Sequence, residues 1–189
     1  MKNKKMLVAV LTVSLLLSMA GCGKQNETGS NDNAYNEETA NNIGSFETQD
    51  IYGETVTQDI FAEYDLTLVN LFATWCGPCI QEMPELAQLQ KDMRDKGVNI
   101  VAVVLDGVSN GQVDQNAVDT TKELADLIEA EFTFMIPDET NLNGRLDGVT
   151  AVPESFFVDK NGNMVGEPYV GARSYDEWKA IIEDELANK

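Results

Sequence analysis

The chain has 189 residues, room for one domain with short appendages. Its 32 acidic residues outnumber 13 basic ones and it has no histidine, giving a formal charge of −19. That balance excludes nucleic acid as a partner, since phosphate binding needs a basic face, and it disfavours direct adsorption to anionic lipid.

Met1 to Lys5 holds three lysines, Met6 to Leu17 is uncharged, and small residues lead into Met19-Ala20-Gly21-Cys22. A basic start, a short apolar core and a small-residue cleavage site predict a secretory signal over residues 1–21. The apolar run falls short of the roughly 20 residues of a membrane span. The cysteine ending it resembles the modified residue of bacterial lipoprotein signals, although Met19 stands where leucine, valine or isoleucine is usual. The resemblance implies lipidation of Cys22 and anchoring to the cell membrane. The plain alternative is a secreted protein with an unused thiol. More than one acyl chain, at about 0.8 kcal/mol per buried methylene, would hold a soluble domain there. Cleavage would remove three lysines and no acid, taking the formal charge from −19 to −22. Residues 22–42 are rich in Asn, Glu, Gly, Ser and Thr and bury too little to offset ordering entropy, so a disordered tether is expected.

The folded domain is expected over residues 43–189. Ser45 to Gln49 and Glu54 to Thr57 flank Tyr52-Gly53 and predict a β-hairpin, and Asp59 to Tyr64 predicts a helical turn. Leu66 to Phe72 and Val98 to Leu105 are nearly continuous apolar runs, as in strands buried on both faces. Between them, Ile80, Met83, Leu86, Leu89 and Met93 recur at helical spacing, predicting a helix from about Cys79 to Lys96, kinked at Pro84 and closed by Gly97. Strand, helix and parallel strand make a right-handed crossover. Asp106 to Asn116 reads as a long polar loop. Val118 to Ala130 reads as a helix with Thr121, Leu124, Leu127 and Ile128 inward, and Phe132 to Ile136 as a strand. A short helical stretch is expected around Leu142 to Leu146. Glu154 to Asp159 and Asn163 to Tyr169 predict a hairpin about Asn161-Gly162. The last helix starts at Ser174, with Glu177 completing a capping box. The order implies an α/β domain: a central mixed sheet with helices on both faces, an N-terminal hairpin and an extra central helix.

Chemistry centres on Trp75-Cys76-Gly77-Pro78-Cys79, directly after a buried strand and opening a helix. A Cys-x-x-Cys in a βαβ setting reads as a redox motif. Unpaired backbone N–H groups at a helix N-terminus favour negative charge, and cysteines so placed titrate below about 8.5. Cys76, coming first, is expected to be exposed and nucleophilic. Cys79, further into the helix, is expected to be shielded and to resolve the mixed disulfide. If Cys22 carries lipid, these two are the only cysteines left to pair. A zinc site would need four ligands, and the chain offers no histidine and no second cysteine pair, so no metal is expected. Haem attachment needs a histidine where Ile80 stands. A passive disulfide stays open as a reading. No cofactor beyond the redox-active sulfur pair is expected.

Phe72 to Leu86 (Phe-Ala-Thr-Trp-Cys-Gly-Pro-Cys-Ile-Gln-Glu-Met-Pro-Glu-Leu) resembles the active-site segment of the thioredoxin superfamily, and its Glu-Met-Pro-Glu-Leu ending resembles the TlpA/ResA-like membrane-anchored reductases. The resemblance implies a thioredoxin-like fold from about Ile43 to Leu186. It implies a cis peptide at Val152-Pro153 facing the sulfur pair, with the Val152 main chain pairing to an extended substrate. Glu154 departs from the threonine common after this proline and suggests a charge that biases substrate choice. Thioredoxin's buried aspartate is replaced by Asn70, which takes no proton. The resemblance places a proton acceptor instead at Glu82, with its pKa raised by burial. Trp75, Gly77 and Pro78 would form one wall of the substrate surface, with Gly171 nearby to let another backbone approach.

The implied activity is that of an extracytoplasmic reductase of protein disulfides. Gly77-Pro78 resembles reducing thioredoxins near −270 mV rather than oxidants near −120 mV. A membrane thiol transporter is the implied electron donor, and apocytochrome c, a methionine sulfoxide reductase or misoxidised proteins the implied acceptors. Two rivals are a peroxiredoxin-type thiol peroxidase, where Ala73 stands in place of the usual threonine, and a non-enzymatic binding lipoprotein.

Overall fold

A computed structural model describes residues 41–188. The expected signal, Cys22 and nearly all of the expected tether lie outside the described residues. The chain is already tied down at Asn41 and Asn42, two residues before the expected start. Met164 donates its N–H to the Asn41 carbonyl at 2.8 Å, and the Asn42 amide donates to Asn161 O at 3.0 Å and Asn163 Oδ1 at 2.8 Å.

Strands β1 (Glu47–Gln49) and β2 (Thr55–Thr57) form the expected antiparallel hairpin. The Asp50 carboxylate accepts the N–H groups of Tyr52 and Glu54 across the turn, at 2.8 and 2.9 Å. A 3₁₀ turn over Gln58–Phe61 then buries Phe61. The crossover follows as β3 (Leu66–Phe72), α1 (Gly77–Met93) and β4 (Val98–Val104), with the strands parallel from Leu66↔Val98 to Phe72↔Val104. Helix α1 begins two residues before the expected Cys79, because Cys76 itself is its N-cap. It runs through Pro84, gives way to a 3₁₀ turn over Arg94–Lys96, and stops at Gly97 with φ of 80°. A Cβ at Gly97 would meet the Asp65 carboxylate at 2.8 Å, so this stop requires glycine.

The expected polar loop is instead a miniature hairpin, β5 (Val108–Ser109) with β6 (Gln112–Val113). Its turn residues Asn110 and Gly111 have φ of 53° and 72°, as a two-residue hairpin turn of Asn-Gly type requires. Two-residue strands carry no periodicity to read in advance. Asp114 then caps α2 (Gln115–Leu127), which starts three residues before the expected helix. Thr121 and Leu124 face inward as expected, but Leu127 is 81% exposed. At roughly 100° per residue, it sits about 150° from the centre of the stripe formed by Val118, Thr121 and Ala125.

Strand β7 (Thr133–Met135) pairs parallel with β4. The helical stretch expected near Leu142 is a left-handed turn: Asn141, Leu142 and Asn143 have φ of 53°, 52° and 57°. Left-handed backbone costs about 1–2 kcal/mol per residue, and asparagine tolerates it best. The Asp138 carboxylate holds the turn by accepting the N–H groups of Thr140 and Leu142, each at 2.8 Å, and Leu142 is buried beneath it. Strands β8 (Glu154–Val158) and β9 (Met164–Val170) and helix α3 (Tyr175–Ala187) complete the domain, with the Ser174–Glu177 capping box in place.

The main sheet has the order β7-β4-β3-β8-β9, with β8 antiparallel to β3 and to β9. Alternation along each strand splits the core in two. Leu66, Leu68, Phe72, Ile100 and Phe157 face one side with Met83, Leu86 and Leu89 of α1, Leu124 of α2 and Trp178 of α3. Val69, Leu71, Val101, Val103 and Phe156 face the other. That second side differs from the expectation of helices on both faces. Ile43, Phe46, Val56, Phe61 and Leu142 cover it, from the N-terminal hairpin, the 3₁₀ turn and the left-handed turn. Asn70 lies in the row of Leu68 and Phe72, so its side chain points at α1 rather than away from it.

Candidate active site

The site sits where β3 and β4 end. Beyond Phe72 the chain turns through Ala73–Trp75, and the Cys76 N–H donates to Ala73 O at 3.0 Å. The turn is braced from β4's side: Thr74 donates its backbone N–H (3.1 Å) and its hydroxyl to the Asp106 carboxylate. Cys76 and Cys79 are joined as a disulfide, S–S 2.01 Å. As N-cap, Cys76 accepts the Cys79 N–H on Sγ at 3.3 Å. Cys79 is fully buried and Cys76 is 5% exposed. Cys76 is thus less open than expected, yet it is the only residue of the pair with any exposed surface. Beside it Trp75 is 75% exposed, and Gly77 and Pro78 are exposed as well.

The Val152-Pro153 peptide is cis, as the resemblance implied. The Val152 carbonyl oxygen lies 3.6 Å from Cys76 Sγ, so this loop does face the sulfur pair. Gly171, with φ of 92°, donates its N–H to Pro153 O at 2.8 Å. Its role is therefore to hold the proline loop, and its backbone conformation is one that side chains disfavour.

Glu82 is 2% exposed and receives three N–H donors. The Trp178 indole reaches Oε1 at 2.7 Å, the Arg173 backbone N–H reaches the same oxygen at 2.8 Å, and the Asn70 amide reaches Oε2 at 3.2 Å. Burial pushes this carboxyl above the ordinary glutamate value of 4.5, against the downward pull of those three bonds and of the Arg173 charge. The Asn70 amide also donates to Ser155 Oγ at 2.9 Å, which ties β3 to β8 behind the helix. Arg173 stacks over both Tyr169 and Trp178, 5.1 Å from each ring centroid, and its guanidinium donates to Gly171 O at 2.8 Å. One chain of contacts therefore links Glu82 to the loop that faces Pro153.

The AhpC/TSA family pattern matches residues 39–166 of this sequence. The chain belongs to the AhpC/TSA family. Individual relatives sharpen the placement. The thiol-disulfide oxidoreductase ResA of Oceanobacillus iheyensis is 34% identical over 118 residues, 62% of this chain and 55% of that one. The thiol:disulfide interchange protein CycY of Rhizobium leguminosarum bv. viciae is 38% identical over 101 residues, 53% of this chain and 47% of that one. The chain thus matches about half the length of these curated relatives. A crystal structure of a putative thiol:disulfide interchange protein DsbE from Chlorobium tepidum superposes with a TM-score of 0.59 at 28% identity, covering 78% of this chain and 94% of that one. The TlpA/ResA-like resemblance and the thioredoxin-like fold both stand.

Within the family frame, one expectation is corrected. Glu154 is not a free charge beside the groove. It is 9% exposed and paired with Arg145 at 2.6 Å, and that guanidinium lies 4.2 Å from the Phe156 ring centroid. Trp178, Arg173, Ser155 and the Thr74–Asp106 brace went unread in the sequence. Trp178 offered only its apolar helical spacing, Thr74 stood within the Phe72–Leu86 segment with nothing to mark Asp106 as its partner, and Arg173 and Ser155 lie in a loop and a strand with no motif of their own.

Proposed function

We propose that this AhpC/TSA-family chain is an extracytoplasmic thiol–disulfide oxidoreductase that reduces protein disulfides while held on the cell membrane by lipid on Cys22. The observation that carries the reading is the Cys76–Cys79 disulfide at the start of α1, with Cys76 Sγ 3.6 Å from the Val152 carbonyl and Trp75 bare beside it. Among the described residues no helix is long and apolar enough to cross a membrane. The anchor proposed is the lipid that the Met19-Ala20-Gly21-Cys22 signal implies.

In the reduced protein the Cys79 N–H and the α1 N-terminus favour a thiolate at Cys76. That thiolate attacks one sulfur of a substrate disulfide, forming a Cys76–substrate bond and releasing the other substrate sulfur as a thiolate. Glu82 takes the proton of Cys79, which attacks Cys76 Sγ. The internal disulfide forms, the second substrate thiolate leaves, and two electrons have passed to the substrate. A membrane thiol donor returns the pair to the dithiol. Proteins such as apocytochrome c or a methionine sulfoxide reductase are the acceptors this scheme would serve.

The family name makes a thiol peroxidase the second reading. Two observations weigh against it: Ala73 stands three residues before Cys76, and the neighbouring Thr74 hydroxyl is already committed to Asp106. Insulin reduction is expected from the dithiol and is lost in Cys76→Ser. Cys79→Ala is expected to accumulate mixed disulfides on Cys76 that mass spectrometry identifies. Hydrogen peroxide consumed as fast as a protein disulfide would favour the peroxidase instead. A Cys76 thiol inert to alkylation near neutrality would leave only a passive bridge in a binding protein.

A further inference from the structure

A groove of about 1050 Å³ opens beside the disulfide. Trp75 and Val152, the two residues that frame Cys76, form its near end. The β5–β6 hairpin supplies Val108 and Val113 as one wall, and the segment after β7 supplies Leu146 and Val149. Ligand sites commonly span about 300–1,000 Å³, so this one takes several side chains at once. Trp75 is 75% exposed and Val113 43% exposed, two of the five large apolar side chains exposed among the described residues. Exposed aromatic and aliphatic groups clustered on a concave surface mark an interaction site.

The groove is also electrically one-sided. Glu47, Asp106, Asp138 and Glu139 line it, and no lysine or arginine does. The Asp106 and Asp138 carboxylates accept from hydroxyl and backbone donors, with no cation among their partners. Glu47 and Glu139 are exposed and have no ion-pair partner among the described residues.

Resting on the reductase reading above, we infer that this groove docks the polypeptide segment adjoining the substrate's cystine, and that the segment it takes is apolar with flanking lysines or arginines. A substrate sulfur in line with Cys76 Sγ has its chain at Trp75 and Val152, the mouth of the groove. Apolar side chains then cover Trp75 and Val113, while basic flanks meet the four carboxylates. Charge complementarity of this kind speeds encounter and sets register, and it weakens with salt.

The test uses the full chain, reduced beforehand, and three disulfide-bridged peptides that share an apolar segment but carry lysine, serine or glutamate flanks. Each kcat/KM is divided by the same protein's rate on bis(2-hydroxyethyl) disulfide, a small neutral substrate. The lysine peptide is expected to exceed the glutamate peptide by about tenfold or more at low ionic strength, with the gap narrowing in about 0.5 M salt. The double variant Glu47→Lys, Glu139→Lys is expected to reverse the order, and Glu139→Lys alone serves if the double variant folds poorly. Equal ratios for all peptides, with the small disulfide still reduced, overturn the docking groove and leave the reductase reading standing. A lysine preference that survives charge reversal also overturns it, by assigning the preference to overall charge. Concentration-dependent dimerisation abolished by Val113→Asp would give the groove to a second copy of the chain and overturn it too. No reduction of any disulfide removes the reductase reading and this inference together.

Discussion

Glu82 owes its character to the neighbours that surround it in the fold. Desolvation raises its pKa, and N–H donors from Trp178, Arg173 and Asn70 only partly oppose that. The native state therefore holds the Glu82 proton more tightly than the unfolded chain does. Stability from this group is present in full below the ordinary value of 4.5 and is lost as pH rises through the raised value. Glu82→Gln removes that loss. The variant keeps an acceptor for Trp178 and Arg173, and the Asn70 amide can turn so that Oδ1 accepts the new amide, giving up its N–H bond to Ser155 Oγ. Thermal melts between about pH 4 and pH 8 are expected to show the variant gaining on the parent as pH rises. Its turnover on a protein disulfide is expected to fall on the order of a hundredfold, the usual worth of a proton acceptor. A pH–rate profile unchanged by the substitution would deny Glu82 its role.

Local elements were largely legible. The strands Leu66–Phe72 and Val98–Val104, the Asn161-Gly162 hairpin and the Ser174 cap were all readable, because apolar runs, turn dipeptides and capping residues act over a few positions. Misreadings fell where local signals were short or ambiguous. Asp114, part of the expected loop, is the cap of α2, accepting the N–H groups of Asn116 and Ala117 at 3.0 and 3.2 Å. Asp114→Ala is expected to cost about 1 kcal/mol, a fall of about 2–4 °C in melting temperature for a domain of this size. Differential scanning calorimetry measures it. A short helical stretch is expected around Leu142 to Leu146, but Asp138 pins Asn141 to Gly144 into the left-handed turn. A side chain accepting two backbone donors decides a conformation that propensity alone leaves open.

Across the whole molecule, the two-sided sheet carries the fold, and the one disulfide among the described residues closes a loop of only four residues. The loop-entropy relation gives such a bridge about 2 kcal/mol. Reduction is therefore expected to leave a folded protein, with a melting temperature lower by less than about 8 °C and near-UV circular dichroism retained. A dithiol that cycles between redox states needs a scaffold that does not depend on the bond. Collapse of the tertiary signal on adding a phosphine reductant would contradict this.

The sequence by itself determined the cysteine pair, the strand that delivers it, the helix that receives it and the acidic balance of the chain. Each follows from residue type and spacing within a few turns of chain. Apart from Val152-Pro153, which the family resemblance placed opposite them, only the tertiary structure decided what surrounds those sulfurs. Cys76 meets Val152 across 76 positions, and Glu82 meets Arg173 and Trp178 across 91 and 96. Sheet pairing of β3 with β8 and packing of α3 on α1 bring them together. Contacts between distant segments depend on how apolar faces are buried together, and that choice leaves no mark in any short stretch of sequence.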